Sequence, residues 1–257
     1  MSEERKISAV IITYNEENNI KRCLTSLKDI ADEIIVVDSF STDKTETICA
    51  EFGVRFVKHK FDGHIEQKNW AREQASHNIV LSLDADEALD NSLQDSILAV
   101  KKNWQYDAYK MNRLTNYCGK WIRHTGWYPD TKLRLWDNTK GHWTGENPHD
   151  EFNLFDESSN VALLYGDILH YSYNELSDHD KQIDYFTDIA AHAYVKNGKS
   201  PFIMQKYVSG FHKFIKCYVF NLGFLDGKEG WIISKKSSYA AYLKYQKINA
   251  LIDRSKR

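Results

Sequence analysis

Apolar residues follow two rhythms along the first hundred positions of the chain. Short runs at Ile7–Ile12, Glu33–Val37, Val54–Val57 and Ile79–Leu83 are rich in Val and Ile and too brief for helices, so they read as strands buried on both faces. Between them, Glu17–Leu27 sets Ile20, Cys23, Leu24 and Leu27 at the i, i+3, i+4, i+7 spacing of an amphipathic helix, and Thr45–Phe52, Ile65–Ala75 and 91–104 read similarly. This alternation predicts an α/β domain with a mostly parallel central sheet. From 107 to 172 the pattern changes to the short alternating stretches Ala108–Leu114, Lys120–His124, Lys132–Trp136 and Val161–Tyr165, expected as antiparallel strands and loops along one edge of the sheet. Beyond Ser177 it becomes helical, over Asp178–Lys196, 201–222 and 230–252. The expected division is a domain over 1–175, with halves 1–104 and 105–175, and a C-terminal helical appendage over 176–257.

A chain of 257 residues with 42% hydrophobic content can bury a full core. Cys23, Cys49, Cys118 and Cys217 are scattered with no Cys-x-x-Cys pair, which predicts reduced thiols in a cytosolic protein. No run of ~18 uncharged apolar residues is present, so no spanning helix is expected. The net charge of −2 hides an asymmetry: residues after 198 carry +9 and the rest −11. A basic end on an acidic body predicts an anionic partner touched by one end only. In 201–222, Met204, Tyr207, Val208, Phe211, Ile215, Tyr218 and Leu222 share a helical face, with Lys206, Lys213 and Lys216 off it. That pattern fits a segment lying in an anionic membrane interface, the alternative being a stripe that packs on the domain. No basic stripe interleaves with the acidic half, which argues against nucleic acid.

The candidate chemistry gathers at strand ends, the edge where open α/β sheets bind ligands. Ile79–Leu83 runs into Asp84-Ala85-Asp86-Glu87, whose carboxylates at i and i+2 suit a hard cation, Mg²⁺ or Mn²⁺, held against substrate phosphates. Thr13-Tyr14-Asn15-Glu16 follows the first strand and offers a hydroxyl, an aromatic ring and a carboxylate for a nucleotide base, with Asn15 expected as a helix cap. Asp38 ends the second strand, where it can accept a pyrimidine N–H; Ser41, Thr42 or Asp43 is expected to cap the next helix. Lys68, just before the Asp84 strand, has the reach for a diphosphate oxygen. Trp121, Trp127, Trp136 and Trp143 fall in the strand-and-loop stretch and suit either sugar faces or core packing.

The segments Thr13-Tyr14-Asn15-Glu16, Val37-Asp38-Ser39-x-Ser41-Thr42-Asp43 and Leu83-Asp84-Ala85-Asp86-Glu87, at these separations, resemble family 2 glycosyltransferases of the GT-A fold. Lys132–Trp136, Gly145–Glu151, Ile168–Tyr173 and Gly223-Phe224-Leu225-Asp226-Gly227-x-x-Gly230, in that order, resemble the bacterial lipopolysaccharide-core β-1,4-glucosyltransferase subgroup. The resemblance implies an inverting enzyme that moves a hexose, glucose by likeness, from a UDP-sugar to a glycolipid on the cytoplasmic face of the inner membrane. It implies that Tyr14 packs on uracil, that Asp38 hydrogen-bonds it, that Asp84 faces ribose or metal, and that Asp86 is the principal metal ligand with His170 as a further one. It implies a carboxylate base in the segment where many members read His-Glu; here the motif reads His-Asp-Glu, so Asp150 is the expected base and Glu151 the alternative. Two rival readings are a sugar-phosphate nucleotidyltransferase, whose first loop should be Gly-rich and basic, and a non-enzymatic peripheral membrane protein with a vestigial nucleotide pocket.

Overall fold

Strand β1 (Ile7–Thr13) is buried almost throughout, and its alternate residues feed two cores. Ile7, Ala9 and Ile11 pack with Ile20, Cys23, Leu24 and Leu27 of α1 (Ile20–Leu27) and with Leu93 and Ile97 of α4 (Asn91–Lys102). Val10 lies in the opposite core with Ala71 of α3 (His64–Glu73), Val80 and Trp136. A strand with apolar residues on both faces is stable only when helices cover both sides, which is why its sequence lacks a polar alternation. The computed structural model describes residues 4–146, 149–196, 201–202 and 204–255, with the side chains of Glu146, His149 and Ser255 outside that description.

β1 pairs in parallel with β2 (Glu33–Asp38) and with β4 (Ile79–Asp84), and β2 pairs in parallel with β3 (Arg55–Lys58). The helix α2 (Thr45–Glu51) connects β2 to β3, and α3 connects β3 to β4. Among the described residues the sheet continues through β8 (Asp130–Asp137), β6 (Ala108–Tyr117), β11 (Val161–Tyr173) and β5 (Glu87–Leu89), with the short β7 (Lys120–Trp121) on β6. The pairs β4–β8, β8–β6 and β11–β5 are antiparallel. The expected α/β class, with a parallel core and helices at the C-terminal end, is therefore present. The 107–172 strands extend the sheet itself, and β9 (Gly141–Glu146) and β10 (His149–Leu154), which the alternation did not reveal, form a separate antiparallel hairpin.

The order β3-β2-β1-β4 reverses direction at β1, so the carboxyl ends of β1 and β4 flank the switch point where such sheets bind ligands. The register places Thr13 beside Asp38 and Ile12 beside Asp84. Each of these strands runs one residue further than expected and so takes in Thr13, Asp38 or Asp84 as its last position.

By contact the chain forms two compact units, Met1–Arg113 with Asp130–Tyr171, and Leu114–Pro129 with Ser172–Arg257. The second unit contains α5 (Leu176–Lys196), α6 (Gln205–Ile215) and α7 (Gly227–Ser255). The expected helix over 201–222 is shorter and broken: α6 is followed by a π-turn at Lys216–Phe220, then Leu222 with φ 53°, and a 3₁₀ turn at Gly223–Asp226. Tyr117, Ile122, Tyr173 and Ile233 form this unit's core, with Trp127 half-buried against it. Of the four tryptophans weighed as sugar platforms, Trp136 is fully buried and stacks on Phe152 with ring centroids 3.9 Å apart, while Trp127 stacks on Tyr173 at 5.3 Å. Core packing claims both.

Candidate active site

Two loops that leave the ends of β1 and β2 are laced to each other. Asn15 adopts φ 54°, a left-handed conformation that Asn tolerates better than most residues. Its N–H donates to Ser41 Oγ at 2.8 Å and its Oδ1 accepts from the Thr42 N–H at 2.8 Å. Asn15 is thus not the helix cap expected for it; α1 begins later, at Ile20. The Glu16 N–H donates to Thr45 Oγ1 at 2.9 Å, and the Glu17 N–H to Asp43 at 3.0 Å. Asp43 also accepts from the Thr45 N–H at 2.9 Å and its hydroxyl at 2.6 Å, so Ser41, Thr42 and Asp43 are structural, as expected, but act across two loops.

This lacing determines what the first candidates can reach. Tyr14 is 59% exposed at the tip of β1 and offers a free ring face. Thr13 is buried, and its hydroxyl has no partner among the described residues. Asp38, expected to meet a base directly, is fully buried: Oδ2 accepts from the Ser41 N–H at 2.8 Å and Oδ1 from the Ser41 hydroxyl. In this geometry its carboxylate holds the loop beside Tyr14.

The carboxylates of the Asp84–Glu87 segment split into two groups. Asp84 lies 3.0 Å from Lys68 Nζ and 3.2 Å from Arg134 Nη2. Lys68 is 4% exposed rather than solvent-facing, and it donates to Asp150 Oδ2 at 2.8 Å while lying over the Trp143 ring. Arg134 in turn donates to Glu87 Oε1 at 3.0 Å, and Arg113 to the same oxygen at 3.2 Å. The result is a row of alternating charge, Asp150, Lys68, Asp84, Arg134, Glu87, Arg113. Burial alone would raise the Asp84 pKa, yet the Lys68 and Arg134 charges hold it well below the usual carboxylate range. Asp150 shows the same balance: burial opposes ionisation, and the charge and hydrogen bond of Lys68 lower its pKa. On β10 the alternation turns Asp150 to this row and leaves Glu151 exposed.

Asp86 stands apart from that row. Its Oδ2 lies 3.2 Å from His170 Nε2, its backbone carbonyl accepts from the Tyr171 N–H at 2.9 Å, and it makes no ion pair with Lys or Arg among the described residues. The β11–β5 register brings His170 opposite Glu87, and so one position from Asp86. Glu16 feels the uncompensated charge: burial foremost, then Asp86, Asp43 and Asp84, push its pKa up to about 7 against the hydrogen bond from Asn19. Among the described residues no three His, Cys, Asp or Glu side chains could hold a metal by themselves. Asp86 and His170 supply one oxygen and one nitrogen donor, so a Mg²⁺ or Mn²⁺ held there would need its remaining ligands from phosphate oxygens and water.

An open cleft of about 750 Å³ borders the charged row, lined among others by Lys68, Asp84, Arg134, Trp143, Asp150 and Glu151. Arg134, Arg113 and the buried Glu87 are the participants that residue-by-residue reading left unassigned. Their signal is present in Lys132-Leu133-Arg134-Leu135-Trp136, where cations alternate with apolar residues inside a strand whose Arg is buried.

A parallel-sheet switch point with an exposed aromatic ring, an aspartate–histidine pair and an open cleft beside a buried row of charge is the kind of site a nucleotide-sugar enzyme uses. Residues 8–156 match the family model described as glycosyl transferase family 2, and the chain belongs to that family. An uncharacterized glycosyltransferase of Rickettsia bellii is 30% identical over 257 residues, which cover 96% of this chain and 87% of that protein. The lipopolysaccharide core biosynthesis glycosyltransferase LpsC of Rhizobium meliloti is 26% identical over 251 residues, covering 94% of this chain and 91% of LpsC. Among solved structures, glucosyl-3-phosphoglycerate synthase of Mycobacterium tuberculosis aligns over 45% of each chain with 27% identity and a TM-score of 0.36.

Proposed function

We propose that the enzyme transfers a hexose, glucose on the family likeness, from a UDP-sugar to a hydroxyl of a glycolipid such as lipopolysaccharide core, with inversion, at the cytoplasmic face of a membrane. The observation that carries this reading is the position of Asp150. It faces the cleft from β10, within 2.8 Å of a lysine that also holds Asp84 at the switch point. The LpsC name supports the acceptor class.

Tyr14 stacks on the base, and Glu16 and Thr13 border it. Asp38 keeps the Tyr14 loop in shape through Ser41, and Asp84 turns to the ribose. Lys68 exchanges one of its carboxylate partners for a diphosphate oxygen when donor binds, a substitution of one anion for another in a buried site. Asp150 is a carboxylate at neutral pH because Lys68 faces it; once Lys68 turns to the diphosphate, Asp150 regains basicity and accepts the proton of the acceptor hydroxyl. Glu151, exposed on the same strand, is the less favoured base. Asp86 and His170 would hold Mg²⁺ or Mn²⁺, and such an ion would supply positive charge to offset that of a departing diphosphate. The first loop has no glycine and no cation to grip a triphosphate, which disfavours the nucleotidyltransferase.

Turnover of UDP-glucose in the presence of Mn²⁺, read as UDP release, is the direct test, with Asp150→Asn and Glu151→Gln alongside. Asp150→Asn should lower release by about 10²–10⁴-fold, the usual range for a general base, with UDP affinity within a few-fold of wild type. Asp86→Ala should remove the metal dependence of UDP binding. Full activity of Asp150→Asn would transfer the base to Glu151, and pyrophosphate release from UTP without UDP release from UDP-hexoses would overturn the reading.

A further inference from the structure

The second unit exposes large apolar side chains on one continuous stretch of chain. Phe211 is 72% exposed, Phe220 76%, Phe224 48% and Leu225 57%. These are not the leavings of a loose loop. Between Lys216 and Asp226 the chain makes two short turns whose inward positions, Cys217, Gly223 and Asp226, are buried. The Asp226 carboxylate accepts from the His124 N–H at 2.9 Å and the Arg123 N–H at 3.3 Å, and the Asn221 carbonyl accepts from the Thr125 N–H at 3.0 Å. A Cβ on Gly230 would stand 1.8 Å from the Gly223 carbonyl oxygen, so the two segments touch backbone to backbone. A braced turn thus presents Phe220, Phe224 and Leu225 outward.

Beside it, α6 and α7 leave an open groove of about 360 Å³ lined by Phe211, Phe214, Tyr239 and Tyr242 together with Lys206 and Lys235. The cations of this unit are of two kinds. Lys236 and Lys247 of α7 are ion-paired with Asp180, Asp184 and Asp188 of α5. Lys206, Lys213, Lys216, Lys228 and Lys235, on the elements that carry the exposed apolar residues, have no carboxylate partner among the described residues, and Lys206 instead lies over the Tyr207 and Tyr242 rings.

An apolar face bordered by unpaired lysines is complementary to an anionic amphiphile. A second copy of the chain fits it poorly, because a two-fold pairing would set lysine against lysine. We propose that the braced turn and the α6–α7 groove dock on an anionic phospholipid bilayer, with Phe220, Phe224 and Leu225 in the acyl boundary and Lys206 and Lys235 on a lipid phosphate. This gives the glycolipid reading above its means of attachment, and it rests on that reading for its purpose.

Co-sedimentation of the full chain with vesicles tests it. The protein should pellet with phosphatidylcholine vesicles containing phosphatidylglycerol, and remain in the supernatant with phosphatidylcholine alone. Phe220→Ser/Phe224→Ser should abolish pelleting. Lys206→Gln/Lys235→Gln should weaken it by about 25-fold, at about five-fold per lysine on an anionic surface. UDP affinity and slow UDP-hexose hydrolysis, measured on the same samples, should stay at the wild-type level, because all four side chains lie outside the candidate active site. Wild-type protein that hydrolyses donor but ignores anionic vesicles overturns the docking proposal alone, and failure to bind UDP strikes the functional reading instead. Equal pelleting of wild type and variants overturns it too, as does a lipid-free dimer that Phe220→Ser/Phe224→Ser dissolves.

Discussion

Glu16 and Asp84 are carboxylates of one region with opposite proton affinities. Asp84 is kept ionised by Lys68 and Arg134, while Glu16, half-buried and near the charges of Asp86 and Asp43, is pushed up to about 7 from an ordinary value of 4.5. A raised carboxyl pKa in the folded state favours the protonated form. Its contribution to stability is complete below about pH 4.5 and is lost as pH rises through about 7. The metal-free protein should therefore lose thermal stability between pH 5 and pH 8 to a degree that Glu16→Gln reduces, which differential scanning fluorimetry across that range reads directly. An unchanged pH slope in the variant would remove Glu16 as its source. Arg134 shows what a residue read in isolation conceals. In the chain it is one cation of an alternating strand; in the fold it is buried, joining Asp84 to Glu87, and its removal would leave buried charge uncompensated, a loss of about 3–5 kcal/mol.

Among elements, the strands of the parallel core were readable to within a residue or two because a run of Val and Ile between amphipathic helices has few other stable uses. The loops at their ends were not. Asn15 and Ser41 are 26 positions apart, and a capping residue looks the same in sequence whether it binds its own helix or another loop. The break after α6 was hidden for a related reason: the helical spacing of apolar residues continues through 216–222, and only the contact of Gly223 with Gly230 reveals a tight turn. That contact leads to an element-level prediction. Gly230→Ala must push apart two backbones, so it should cost several kcal/mol, at the severe end for a single substitution. Urea unfolding should report this as a lower midpoint, or as a separate early transition of the second unit. A variant as stable as wild type would show that the turn adjusts freely.

For the whole molecule, the division of the chain is the least sequence-like feature. Residues 114–129 lie within the first 175, yet they pack with the C-terminal helices: the Tyr117 hydroxyl meets His179 Nδ1 at 2.9 Å, and Trp127 stacks on Tyr173. A fragment ending at residue 171 would keep Tyr117, Ile122 and Trp127 but lose Tyr173, His179 and Ile233, their cover. It should elute as aggregates in size-exclusion chromatography, whereas a fragment ending at 171 that runs as a monomer would show the first unit to be self-sufficient. What the amino-acid order determined alone was periodicity and composition: an α/β chain, acidic at one end and basic at the other, with carboxylates and an aromatic ring at strand ends. These are local properties, set by which side chains recur at two or 3.6 residues. Tertiary structure alone decided which carboxylate meets which cation. Lys68 and Asp150 lie 82 positions apart, and their pairing depends on a sheet order and a strand register that no local pattern encodes.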